Sequence, residues 1–118
     1  MADFKFIEAE QLDTHLVRNG GLKLVHFGSS LVTSCNFMRR SLSIISPEFQ
    51  NHLQMIEVEL QLSQVEVVQR FQVRSLPTIL IFDGVQVVER LERSHEDVSF
   101  FQADFKQSAA LCYRQRVF

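Results

Sequence analysis

Phe71-Gln72-Val73-Arg74-Ser75-Leu76-Pro77-Thr78-Ile79-Leu80-Ile81-Phe82-Asp83-Gly84 is the stretch on which the reading of this chain turns. A proline stands directly before Thr78-Ile79-Leu80-Ile81-Phe82, a β-branched and apolar run of strand character. Proline has no amide to give a ladder, so Pro77 belongs at the strand's edge, and a cis bond in such a turn is the usual explanation. Asp83-Gly84 is a hairpin signal that returns the chain through Val85 to Leu91, so two antiparallel neighbours are expected here.

Upstream, Phe4 to Glu8 suits a short strand. Leu12, Leu16 and Val17 are spaced for a helix from Glu10 to Arg18 that Asn19-Gly20-Gly21 stops. Leu22-Lys23-Leu24-Val25-His26-Phe27 reads as a buried strand bounded by Gly28. Ser29, Ser30, Thr33 and Ser34 form a polar loop. A helix follows from about Cys35 with Phe37, Met38, Leu42 and Ile45 as its apolar stripe, broken or restarted at Ser46-Pro47. Met55 to Leu60 alternates apolar and acidic residues, the pattern of a half-buried strand. Ser63 and Glu66 make a capping box for a helix through Val67, Val68 and Phe71, and Ser94 with Asp97 opens a last helix carrying Val98, Phe101 and Phe105. The order β-α-β-α-β-α-β-β-α, parallel units first and an antiparallel hairpin second, predicts an α/β domain: one central mixed β-sheet with helices on both faces.

Composition sets the outer limits. One hundred and eighteen residues make one domain, 1–118, and allow about two-thirds of the chain's surface to be buried. With 46% hydrophobic and 22% charged residues the chain is neither disordered nor fibrous. A net charge of −2 lacks the basic excess that phosphate backbones require, so no nucleic acid partner is expected. Two cysteines, Cys35 and Cys112, are too few for a disulfide scaffold and match no zinc spacing, so no metal is expected. Met1-Ala2-Asp3-Phe4 opens no secretory signal and no apolar run approaches a membrane span, which makes cytoplasm the expected address, with no membrane partner.

Two places combine punctuation with reactive chemistry. One is Val25 to Cys35, where a thiol at a helix start is the arrangement that lowers a cysteine pKa. The other is Arg74-Ser75-Leu76-Pro77-Thr78. Together these residues resemble the thioredoxin family over nearly the whole chain. The likeness is carried by Leu24-Val25-His26-Phe27, by Cys35 opening the second helix, and by Phe71 to Gly84, which looks like the family's cis-proline motif. The resemblance implies a thioredoxin fold, a cis Leu76-Pro77 bond, and a Leu76 backbone available to pair with an extended peptide.

The departures limit what is carried over. Thioredoxins read W-C-x-x-C where this chain reads Leu31-Val32-Thr33-Ser34-Cys35, so Val32 replaces the attacking cysteine and the usual dithiol exchange has no second thiol. The tryptophans expected near Gly28 and Leu31 are missing, and His26 stands where thioredoxins usually place a buried Asp. Val25-His26-Phe27, the lost first cysteine, the retained Cys35 and the strand Ile56 to Leu60 are similar to the N-terminal thioredoxin-like domain of multidomain monothiol glutaredoxins, a family linked to iron handling and iron–sulfur trafficking. That similarity implies a glutaredoxin domain in cis or in trans as a partner, since no C-G-F-S motif occurs in these residues.

Three functions are therefore carried forward. The first is a protein-interaction module of redox homeostasis or glutaredoxin-linked pathways, taking a protein or peptide client at the Cys35 and Pro77 surface through Val32, Thr33, Ser34, Leu76 and Pro77. The second is a monothiol oxidoreductase in which Cys35 works with glutathione and no other cofactor. The third is a noncatalytic, chaperone-like peptide-binding domain. Cys35 reads either as a reactive monothiol or as a buried small hydrophobe, and His26 either as the proton acceptor of Cys35 or as a satisfied core group. Glu57 and Glu59 read as an exposed face, and Arg39-Arg40 as solvated charge.

Overall fold

The computed structural model describes residues 4–49, 54–60 and 65–91. In order these form β1 (Phe4–Phe6), a 3₁₀ turn (Ala9–Gln11) running into α1 (Leu12–Arg18), β2 (Leu22–Gly28), α2 (Thr33–Phe49), β3 (Gln54–Glu59), α3 (Val65–Phe71), β4 (Thr78–Asp83) and β5 (Gln86–Leu91). The last expected helix and Ser63 of the capping box lie outside the described residues.

The strands form one sheet in the order β1-β3-β2-β4-β5. β3 runs parallel to β1 and β2, whereas β4 is antiparallel to β2 and β5 to β4. β2 is thus a central strand, and all seven of its residues are buried. Alternation divides its side chains between two faces. Leu22 and Leu24 join Met38 and Leu42 of α2, with Met55, Ile79 and Ile81. Val25 and Phe27 join Leu12 and Leu16 of α1, with Ile56, Val58, Leu80 and Phe82. α3 closes that second face with Phe71, whose ring lies 5.6 Å from Phe27 and 5.8 Å, edge-on, from Phe82.

Local chemistry explains the turns. In the β4–β5 hairpin the loop is Gly84-Val85, one residue later than Asp83-Gly84, and Gly84 at φ +64 supplies the left-handed conformation that a two-residue hairpin needs at its first position. α3 ends in a Schellman motif: the Val73 amide donates to Val68 O at 2.9 Å and the Gln72 amide to Gln69 O at 3.3 Å, with Gln72 at φ +54 where glycine is usual. Arg90 of β5 completes that end by donating to the carbonyls of Gln72 (2.9 Å) and Phe71 (2.8 Å).

Two expectations fail. α2 begins at Thr33 and runs unbroken through Pro47 to Phe49, so Ser46-Pro47 does not break it. Pro47 stands two residues from the helix end, where its missing amide removes one bond of the last turn rather than dividing the helix. β3 is not half-buried: Met55 to Val58 are all buried, because parallel strands flanked on both sides and covered on both faces have no solvent face.

Candidate functional site

β2 and β4 pair with Phe27 opposite Thr78, so the residues beyond them, Gly28 and Pro77, meet at the same end of the sheet. The loop after β2 and the loop before β4 are therefore neighbours. Leu76–Pro77 is a cis peptide. Pro77 is buried, Leu76 half-buried against the α1/α3 core, and Thr78 Oγ1 donates to Ser75 O at 2.6 Å.

The loop after Gly28 is held by its own polar groups. The Leu60 amide donates to Gly28 O (2.8 Å) and the Val32 amide to Ser29 O (3.0 Å). Ser30 donates its amide and hydroxyl to the Glu59 carboxylate at 3.0 and 3.2 Å, Asn36 Nδ2 donates to Ser30 O at 3.2 Å, and Ser29 Oγ accepts the Leu31 amide at 3.2 Å. These bonds present Leu31 with 92% of its surface exposed. Val32 O accepts the amides of Cys35 (3.0 Å) and Asn36 (3.3 Å), opening α2. Val32 and Ser34 are half-buried and Thr33 is exposed.

Cys35 lies in the first turn of α2 and is 0% exposed. Of the two readings of Cys35, the structure has the buried one, and burial works against the lowered pKa that a helix start favours. Burial pushes the thiol above its usual value of 9.0, and the Ser29 amide bond and Arg39, which favour thiolate, do not outweigh burial and the negative charges of Glu57 and Glu59.

His26 lies in register with Glu57 across β2 and β3, and the two face α2 together. Its Nδ1 stands 2.7 Å from Glu57 Oε2, with both side chains 0% exposed. Glu57 Oε1 accepts from Arg39 Nε (3.0 Å) and Nη2 (2.7 Å), and Arg39 also lies 3.6 Å from Glu59. Burial alone would lower the Arg39 pKa, but the Glu57 bonds and the charges of Glu57 and Glu59 hold it above its ordinary value. Glu57 is thus no exposed acid and Arg39 no freely solvated charge, while Arg40 is exposed. Both corrections come from β3 being interior: an acid there needs charge partners, and α2 places Arg39 one turn beyond Cys35 to supply one.

His26 is only half satisfied as a core group, because its Nε2 is buried without a hydrogen-bond partner. That nitrogen faces Gly28. A Cβ at Gly28 would lie 3.0 Å from His26 Cε1, 3.2 Å from Nε2 and 3.2 Å from Cys35 Cβ, so the imidazole edge and the cysteine border one point that glycine leaves clear. The structure thus gathers Cys35, His26, Val32 and the Leu76-Pro77 turn at one sheet end. It adds Glu57, Arg39, Ser30, Glu59 and Gly28, which the sequence reading passed over. No local signal marked Glu57, because what buries it is the place of β3 between two parallel neighbours. Among the described residues no cluster of three or more His, Cys, Asp or Glu could hold a metal, and no helix is long and apolar enough to cross a membrane.

A mixed five-stranded sheet with a cysteine in the first turn of α2, beside a cis-proline turn, defines a domain of the thioredoxin fold. The sequence model of the thioredoxin family matches residues 3–107, and the chain belongs to that family. It is 27% identical over 97 residues to Glutaredoxin 3 of Danio rerio, covering 80% of this chain but only 29% of that protein's length. In solved structures it is similar to the thioredoxin Mala s 13 of Malassezia sympodialis, with a TM-score of 0.73 at 19% identity over 92% of this chain and 93% of the other. It is also similar to thioredoxin NaTrxh of Nicotiana alata, with a TM-score of 0.72 at 15% identity over 91% and 93% of the two chains.

Proposed function

We propose that this thioredoxin-like domain is a protein-interaction module of cell redox homeostasis or of glutaredoxin-linked iron–sulfur pathways, cytoplasmic, and not a dithiol oxidoreductase. The observation that carries the reading is the pair Val32 and Cys35: no thiol at the first position, and a fully buried thiol with a raised pKa at the second. A thiol so placed is a poor nucleophile at neutral pH. The surface around it suits an extended peptide: Leu31 offers an apolar contact on a braced loop, and the family resemblance implies main-chain pairing at Leu76. A glutaredoxin domain, in cis or in trans, is the partner that the similarity to Glutaredoxin 3 supports. The test is insulin disulfide reduction with dithiothreitol. No turnover above the reagent alone is expected, and turnover abolished by Cys35→Ser would overturn the reading.

One observation favours a second reading, a monothiol exchange at Cys35: the unpartnered Nε2 of His26 at the cysteine. In that reaction the thiol proton passes to Nε2 and the thiolate attacks one sulfur of glutathione disulfide. The Cys35–glutathione disulfide forms as the original S–S bond breaks, and the departing glutathione thiolate recovers the proton. Time-resolved mass spectrometry of the protein with glutathione disulfide decides it, through a single adduct that Cys35→Ser removes.

A further inference from the structure

Nδ1 and Nε2 of a neutral imidazole have opposite roles, one donor and one acceptor, and which is which depends on the neighbour of one of them. A carboxylate gripped by a guanidinium has only acceptors to offer. Glu57 Oε1 is taken by both Nε and Nη2 of Arg39, leaving Oε2 to face His26 Nδ1 at 2.7 Å. A neutral ring therefore donates at Nδ1 and leaves Nε2 bare. That bare nitrogen is the one buried side-chain polar atom without a partner among the described residues, and it borders the point that Cys35 Cβ also borders, across Gly28.

We infer that Glu57, held in place by Arg39, is the positioning residue of the Cys35 site: it fixes His26 as the Nδ1–H tautomer and so keeps an empty acceptor at Nε2 turned toward the cysteine. Gly28 keeps the approach clear, because any side chain there would enter the space between ring and cysteine. Only the kinetic arm of the test rests on the monothiol reading.

Glu57→Gln separates positioning from mere structural support. The amide oxygen goes to Arg39, since two donors cannot face each other, and the amide nitrogen then donates to Nδ1. The imidazole proton moves to Nε2, and the acceptor facing Cys35 is lost. Nitrogen-15 spectra of the His26 ring at pH 7 are expected to show Nδ1–H in the unsubstituted chain and Nε2–H in Glu57→Gln. Adding Arg39→Met frees the amide to turn back, so the double variant returns to Nδ1–H. In a Cys112→Ser background, the reaction of Cys35 with glutathione disulfide is expected to slow at least about tenfold in Glu57→Gln, part of the roughly 10²–10⁴ that a positioned base supplies. A wild-type proton on Nε2, or a Glu57→Gln variant that loses stability while Nε2 stays bare, overturns the inference. A wild-type chain that forms no adduct overturns the monothiol reading instead, and the ring spectra then decide the positioning role alone.

Discussion

Replacing Glu57 by leucine tests whether the interior charge network holds the fold together. His26 and Glu57 are both 0% exposed, so the substitution leaves a second imidazole nitrogen unpaired inside the core beside Nε2. An unpaired buried polar group costs about 1–3 kcal/mol, and breaking a buried ion pair from one side about 3–5 kcal/mol. Arg39 lessens the loss only slightly: its side chain is 29% exposed and can turn fully to Glu59, an exposed pairing of about 0–1 kcal/mol. About 3 kcal/mol is therefore expected, which at about 1–3 kcal/mol per molar urea moves the unfolding midpoint down by about 1–3 M. His26→Leu alone is milder, because Glu57 retains Arg39. The double variant His26→Leu/Glu57→Leu is expected to be less destabilised than the sum of the two, since two apolar residues leave no orphan in the core. Urea unfolding followed by circular dichroism measures all four corners of the cycle. A Glu57→Leu cost below about 1 kcal/mol, or additivity of the two substitutions to within about 0.5 kcal/mol, would refute the reasoning.

Three further outcomes follow from single groups. Because burial raises the Cys35 pKa from 9.0, the native chain keeps a proton that the unfolded chain releases; stability is full below about pH 9 and falls as the pH rises through the native value. Urea unfolding across that range should show the slope, and Cys35→Ala should lessen it; an unchanged slope would mean another group carries it. Gln72→Gly relieves a left-handed residue at the end of α3 and is expected to stabilise by up to about 1 kcal/mol, read as a rise in melting temperature, whereas a loss would show that Gln72 is not strained there. Gly28→Ala introduces a methyl 3.0 Å from the His26 ring and is expected to cost about 1–3 kcal/mol and to shift the His26 ring resonances; unchanged resonances would mean that the ring does not border Gly28.

The fold was legible because its decisive positions are punctuated. Pro77 before five strand-forming residues, and Gly84 after them, leave few arrangements for the chain, and β4 and β5 lie where those residues imply. The ends of elements were less so. Pro47 reads as a stop, yet α2 continues past it, since a proline two residues from a helix end removes only one bond of the last turn. The site divided in the same way. Cys35, His26 and Pro77 stood out by residue type, because a thiol, an imidazole and a proline each announce a chemistry, and Val32 stood out by the resemblance that puts a thiol at its place. Glu57 and Arg39 did not: an alternating acid looks the same in a half-exposed strand and in an interior one. What separates the two cases is that β3 lies between β1 and β2, a fact of strand order rather than of local pattern.

Strand order also bears on why such a network is there at all. Well-packed apolar residues of similar volume often replace a buried ion pair at no loss, or with a gain of about 1–4 kcal/mol. A leucine at 26 and a methionine at 57 would continue the α2-facing cluster of Leu22, Leu24 and Met55 along the same two strands. Stability alone therefore does not account for His26, Glu57 and Arg39, and neither does the loop, whose Ser30 is held by Glu59 without His26 or Glu57. What the three residues achieve together, and an apolar set could not, is an imidazole whose tautomer is fixed from one side and whose other nitrogen stands empty at the cysteine. With Val32 in place of the first thiol, that polar interior is the part of the site through which Cys35 can still differ from an inert buried side chain.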